Sequence, residues 1–263
     1  MRGRREDATL GPFGGKVNDL TGHGVLAIIT PTGPDAAATN LNEDEMPTRA
    51  VLFDFDGVIA DTENVHVAAW QRTFGLMGWQ ETDEACARAA EVDDRVFAAE
   101  VFARRKVDGD VEGWVARKQE LTLRLLADSP KVYPGAVALV RKLEGQVRLG
   151  VVTTTWLANV ESVLRASGIF EAFELIVAKE DVRAAKPDPE GYRLALARLG
   201  LPGEEVAALE DSPGGIEAAR AAGLRVVAVG HRRAAGDWSD GAPFVASLGD
   251  LDAALQAIGP TTL

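Results

Sequence analysis

From residue 133 onward, short apolar runs alternate with amphipathic helical segments, and few folds accommodate that alternation. The runs VRLGVVT (147–153), LIVA (175–178), VAALE (206–210), RVVAVG (225–230) and FVAS (244–247) read as strands. Between them, 136–144, 157–167, 189–199 and 214–222 carry apolar residues at helical spacing, with Gly168, Gly200 and Gly223 closing the last three. One further strand pattern, AVLFDF (50–55), stands earlier in the chain. Strands that are apolar on both sides need helices on both faces, which predicts an α/β fold around a parallel sheet.

A long helical block separates that first strand from the rest. His66, Trp70, Phe74 and Met77 fall near helical spacing, with Asp61 or Thr62 available as an N-cap. Residues 81–127 read as helical throughout, and within 111–125 a stripe runs through Val111, Trp114, Val115, Lys118, Leu121, Thr122 and Leu125. The expected organisation is a core of residues 49–63 and 133–263, with 64–132 inserted as an all-α cap. Residues 1–48, rich in Gly, Pro, Asn, Asp and Thr, read as a disordered extension. Met46, just before the first strong strand, is a candidate start of translation.

Composition removes several classes of function. The chain has 263 residues and a net charge of −12, with an isoelectric point near 4.8. Nucleic acid and anionic membranes reward cationic surfaces, so neither is an expected partner. A small anionic substrate remains compatible, because a local cluster of cations binds phosphate inside an acidic protein. The apolar run GVLAIIT falls far short of the ~20 residues of a membrane span. MRGRRED does not lead into a secretory signal. The single cysteine, Cys86, allows no intramolecular disulfide and sits in an alanine-rich helical stretch as a packing residue. A reducing cytoplasm fits.

The polar residues at strand ends are those to inspect, because open parallel sheets bind ligands beyond their carboxyl edges. The first strand ends Asp54-Phe55-Asp56-Gly57, and in an extended strand residues 54 and 56 point the same way. The fourth ends Glu210-Asp211. Like charges so close are costly unless a cation joins them. Mg²⁺ suits an all-oxygen site that also holds phosphate. Helix capping accounts for one short polar residue per helix, such as Ser212, and not for two carboxylates at each of two strand ends.

These residues carry a family resemblance. VLFDFDGVIADTE resembles the first motif of the haloacid dehalogenase superfamily in its phosphatase form. VVTTT resembles the second, Lys186 in AAKPDPEGY the third, and ALEDSPGGIEAARAAGL the fourth, all in the family's order across residues 50–231. The stretch DTENVHVAAW and the early helical block resemble the subgroup that includes beta-phosphoglucomutase and sugar-phosphate phosphatases. The resemblance implies a Rossmann-like core and a four-helix cap.

It also implies roles. Asp54 would be the nucleophile and Asp56 the general acid and base. Thr153, with the backbone N–H of Thr154, would hold the phosphoryl group beside Lys186. Mg²⁺ would be held by Asp54, the Asp56 main-chain carbonyl and Asp211, with Glu210 nearby or acting through water. In the cap, Arg95, the run Arg104-Arg105-Lys106 and His66 are candidate substrate contacts. The expected activity is a phosphatase acting on a small phosphorylated metabolite, the chain being a monomer or weak dimer. A hexose-phosphate mutase and a noncatalytic phosphate-binding module are the alternatives. Asp56 argues for phosphorus chemistry, since a halide leaving group needs no proton. Trp156-Leu157 stands where mutase-like sequences place Lys and Asn, which favours the phosphatase.

Overall fold

The computed structural model describes residues 46–90, 92–128, 131–231 and 241–263. Among the described residues six parallel strands form one sheet: β1 (Ala50–Phe53), β2 (Arg148–Val152), β3 (Leu175–Val177), β4 (Val206–Glu210), β5 (Arg225–Val229) and β6 (Phe244–Val245). Their order is β3-β2-β1-β4-β5-β6. This is a Rossmann-like arrangement, and the order reverses between β1 and β4.

The strands are apolar because both faces are covered. In β1, Val51 and Phe53 join one core cluster, which includes residues of α5 (Pro134–Leu143), α6 (Leu157–Ala166) and α9 (Leu251–Ile258). Ala50 and Leu52 join the other, with α7 (Glu190–Leu199) and α8 (Pro213–Ala221). Fully burying a side chain the size of Phe53 or Leu52 contributes about 1.5–3 kcal/mol. A register slip of one residue would exchange the two sets.

The helical block contains α1 (Glu63–Leu76), α2 (Asp83–Ala87), α3 (Asp94–Arg105) and α4 (Val111–Asp128). It is not helical throughout 81–127. A 3-10 turn occupies Arg88–Ala90, and Lys106 ends α3 with a left-handed φ of 56°. Trp70, Phe74, Cys86, Phe97 and Phe102 form a separate apolar cluster there. Trp70 and Phe74 stack at 5.0 Å.

The two chain segments joining this block to the sheet run against each other. Ala60 bridges Val132, Asp61 N–H donates to Lys131 O at 2.9 Å, and Tyr133 N–H donates to Ile59 O at 2.9 Å. Most of the expected N-terminal extension, residues 1–45 with the apolar run GVLAIIT, lies outside the described residues. At its end the expectation fails: Thr48 is fully buried and its N–H donates to Pro260 O.

Candidate active site

β1 ends earlier than its sequence pattern indicates. The strand stops at Phe53, and the chain turns tightly through Gly57, whose φ of 91° suits a residue without a Cβ. Asp54 keeps a ladder bond, its N–H donating to Leu209 O at 2.9 Å. Asp56 therefore lies beyond the strand, and the two carboxylates have different partners. Asp54 meets Lys186, whereas Asp56 accepts hydroxyl donors from Thr62 and from Thr155, the latter at 2.5 Å. Thr62 occupies the N-cap position of α1 but makes no side-chain cap bond.

On the other side of the switch point, β4 delivers Glu210 and Asp211. Ligand oxygens of Asp54, Glu210 and Asp211 all lie within 4.8 Å of one another, and all three residues are buried. Lys186 reaches this cluster from the loop before α7. Its Nζ donates to Asp54 Oδ1 at 2.6 Å, to Glu210 Oε1 at 2.6 Å and to Val152 O at 2.8 Å. Burial opposes charge on this amine, but the Asp54 and Glu210 carboxylates outweigh it and hold the ammonium above its ordinary range.

Burial raises Glu210 to about 7, against the pull of Lys186. Tyr192 donates its hydroxyl to the same Oε1 at 2.6 Å. A Cβ on Gly215, in the first turn of α8, would overlap the Glu210 carboxylate, so a glycine at this position makes room for it. Three carboxylates around one lysine form an oxygen donor set with excess negative charge, and that set fits a hard divalent cation.

The second-motif residues close the site. Thr153 is buried at the tip of β2, and its Oγ1 accepts from Thr155 N–H at 3.1 Å. Thr154 is exposed beside it. His66 lies on α1 with its Nδ1 2.9 Å from Lys118 Nζ. An ammonium only donates, so this nitrogen accepts. Burial and the neighbouring Lys118 lower His66 to about 3, so the imidazole is neutral. Arg95 is turned to Glu112 at 2.7 Å, with 46% of its side chain exposed. Arg104 and Arg105 both bind Glu81, so that pair is occupied within the helical block.

Sequence reasoning missed Lys118. It sits on the buried stripe of α4, one helical turn from Val115 and from Thr122, and Asp94 accepts from it with both carboxylate oxygens at 3.0 Å. Burial lowers the Lys118 ammonium, while the Asp94 and Asp56 carboxylates support it. A lysine inside an apolar stripe was the available signal: a buried amine needs a carboxylate. Thr155 and Tyr192 carry no such signal, and Thr62 reads from sequence only as a helix cap.

The chain is similar to proteins of one known family. A family profile described as haloacid dehalogenase-like hydrolase matches residues 51–229. The protein CbbY of Rhodobacter capsulatus is 33% identical over 225 residues, which is 81% of this chain and 98% of that one. The fructose-1-phosphate phosphatase YqaB of Escherichia coli is 31% identical over 179 residues, 68% of this chain and 95% of that one. A solved variant of CbbY from Rhodobacter sphaeroides, in complex with xylulose-(1,5)bisphosphate, superposes with a TM-score of 0.69 at 32% identity, covering 78% of this chain and 96% of that one. The chain belongs to the haloacid dehalogenase-like hydrolase family, as a phosphoric monoester hydrolase of its phosphatase group.

Proposed function

We propose that this protein hydrolyses a phosphorylated sugar or similar small phosphomonoester through a phosphoaspartate at Asp54, with Mg²⁺ as cofactor. One observation carries the reading: Asp54 and Lys186 meet at 2.6 Å beside Glu210 and Asp211, while Asp56 is anchored separately by Thr62 and Thr155. A carboxylate attacker, a fixed cation and an independent acid–base group are the parts that phosphoryl transfer needs.

Asp54 attacks phosphorus, and the bond to the leaving oxygen breaks as Asp56 gives that oxygen a proton. Water then attacks the phosphoaspartate, and Asp56 takes the water's proton. Inorganic phosphate leaves and the Asp54 carboxylate is restored. Lys186 and the Thr153 hydroxyl, with the Thr154 N–H, hold the phosphoryl oxygens. Asp54, the Asp56 carbonyl and Asp211, with Glu210 nearby, would bind Mg²⁺, which when bound neutralises charge on phosphoryl oxygens.

The four helices of 63–128 serve as the cap over the site, excluding water and reading the far end of the substrate. His66 and Lys118 are the cap groups nearest to that task, Lys118 being close enough to Asp56 to feel its charge. Arg95, with its Glu112 partner, reads substrate only if that pair opens. The sugar-phosphate relatives support the substrate class, and Trp156-Leu157 disfavours a mutase. No described helix is long and apolar enough to cross a membrane. A phosphate-release screen over sugar phosphates, with Mg²⁺ and with EDTA, tests the proposal. Release from several substrates that EDTA stops supports it, and bisphosphate-primed isomerisation without release refutes it.

A further inference from the structure

The turn that carries Asp56 is held from outside by a residue far along the chain. Within the turn, Gly57 N–H donates to Ala60 O at 2.8 Å, and the N–H groups of Ile59 and Ala60 share Phe55 O. The Gly57 carbonyl faces the other way and meets His231 Nδ1 at 3.1 Å, just beyond β5. The second ring nitrogen, Nε2, accepts from Leu248 N–H at 3.0 Å. A carbonyl only accepts and a backbone N–H only donates, so Nδ1 bears the proton and Nε2 the lone pair. One neutral tautomer satisfies both bonds.

The ring also lies 4.0 Å from Tyr133, tilted by 30°. Tyr133 N–H bonds Ile59 O, on the far side of the same turn. Two residues on, a Cβ at Gly135 would overlap the Leu248–Gly249 backbone, so the start of α5 lies directly against that segment. His231 thus joins the Asp56 turn, the returning cap connection and the segment before α9.

We propose that His231 is a positioning residue for the Asp56 turn: its Nδ1–H fixes the Gly57 carbonyl, and Leu248 and Tyr133 fix the ring. This rests on the proposed phosphatase reading only for its kinetic consequence. Loosening the turn misplaces the acid–base group without removing the phosphate contacts of Lys186 and Thr153. The effect therefore falls on kcat and leaves KM nearly unchanged.

Two variants separate positioning from packing. An amide in His231→Asn places its NH₂ near Nδ1 and keeps the donor to Gly57. In His231→Gln the amide lies near Nε2, keeping the acceptor for Leu248 and losing the donor. With p-nitrophenyl phosphate and Mg²⁺, His231→Gln is expected to lower kcat about tenfold with KM within about twofold, and His231→Asn to retain most of kcat. Equal kcat in wild type and His231→Gln, or equal losses in both variants, overturns the proposal. Two-bond ¹H–¹⁵N spectra of the wild-type imidazole add a readout that needs no activity. Protonated Nδ1 with bare Nε2 is expected, and the opposite tautomer at neutral pH sinks the inference. A wild type inactive on every phosphate tested, yet showing the Nδ1–H tautomer, fails the functional reading alone.

Discussion

Lys186 and Asp54 stand 132 positions apart in the chain, yet the lysine Nζ donates to the aspartate Oδ1 at 2.6 Å. The same amine also meets Glu210 at 2.6 Å. Its removal leaves three neighbouring buried carboxylates with less compensation. Lys186→Met should lower stability by about 3–5 kcal/mol, the usual cost of breaking a buried ion pair from one side. Turnover should fall by at least ~10²-fold. Urea unfolding and steady-state phosphate release check the two effects; an unchanged unfolding midpoint would contradict the first.

Asp54 and Asp56 should fail differently. Asp54→Asn removes the attacking carboxylate, so neither turnover nor a phosphoenzyme is expected. Asp56→Asn keeps the attacker and loses the proton carrier, so phosphoenzyme persists while turnover becomes very slow. Acid-quenched protein labelled from a ³²P-phosphoryl donor distinguishes them. Wild-type activity in Asp54→Asn would refute the nucleophile assignment.

The cation should be visible in stability as well as in activity. Mg²⁺ that binds only the folded chain stabilises it by mass action, by about 2.7 kcal/mol at a hundredfold excess over its Kd, and so raises the melting temperature. Asp211→Asn removes a carboxylate from the cluster and should abolish most of that increment. Differential scanning calorimetry with Mg²⁺ and with EDTA measures it; an equal increment in the variant would place the ion elsewhere.

His66 should make the protein acid-sensitive. Its pKa falls from 6.5 to about 3 on folding, because folding removes it from much of the solvent and sets it beside Lys118. Between those values the unfolded chain binds a proton that the folded chain does not, so stability falls as pH drops below about 6.5. Above 6.5 the contribution is fully present. His66→Gln, which keeps an acceptor for Lys118, should lose less stability between pH 7.5 and pH 5 than the wild type. Identical losses in paired urea titrations would show that other groups govern the acid limb.

The β/α alternation, the acidic strand ends and the order of the four motifs were legible in contiguous residues. Periodicity and side-chain chemistry are local properties, so Val51 and Leu52 announce two covered faces without reference to the rest of the chain. The acidic tips of β1 and β4 could likewise be recognised one at a time. Their convergence follows once β1 and β4 are neighbours at the switch point.

Partner choice was settled only by the path of the chain. Thr62 reads as a cap but donates to Asp56, and Arg95 reads as an anion reader but pairs with Glu112. Lys118 reads as one position on a stripe, yet it meets His66 across 52 positions. His231, 174 positions from Gly57, carried no signal at all. A hydrogen bond requires atoms within about 3 Å and a usable angle. No local pattern encodes that proximity between distant segments, and the packing of helices on a twisted sheet supplies it.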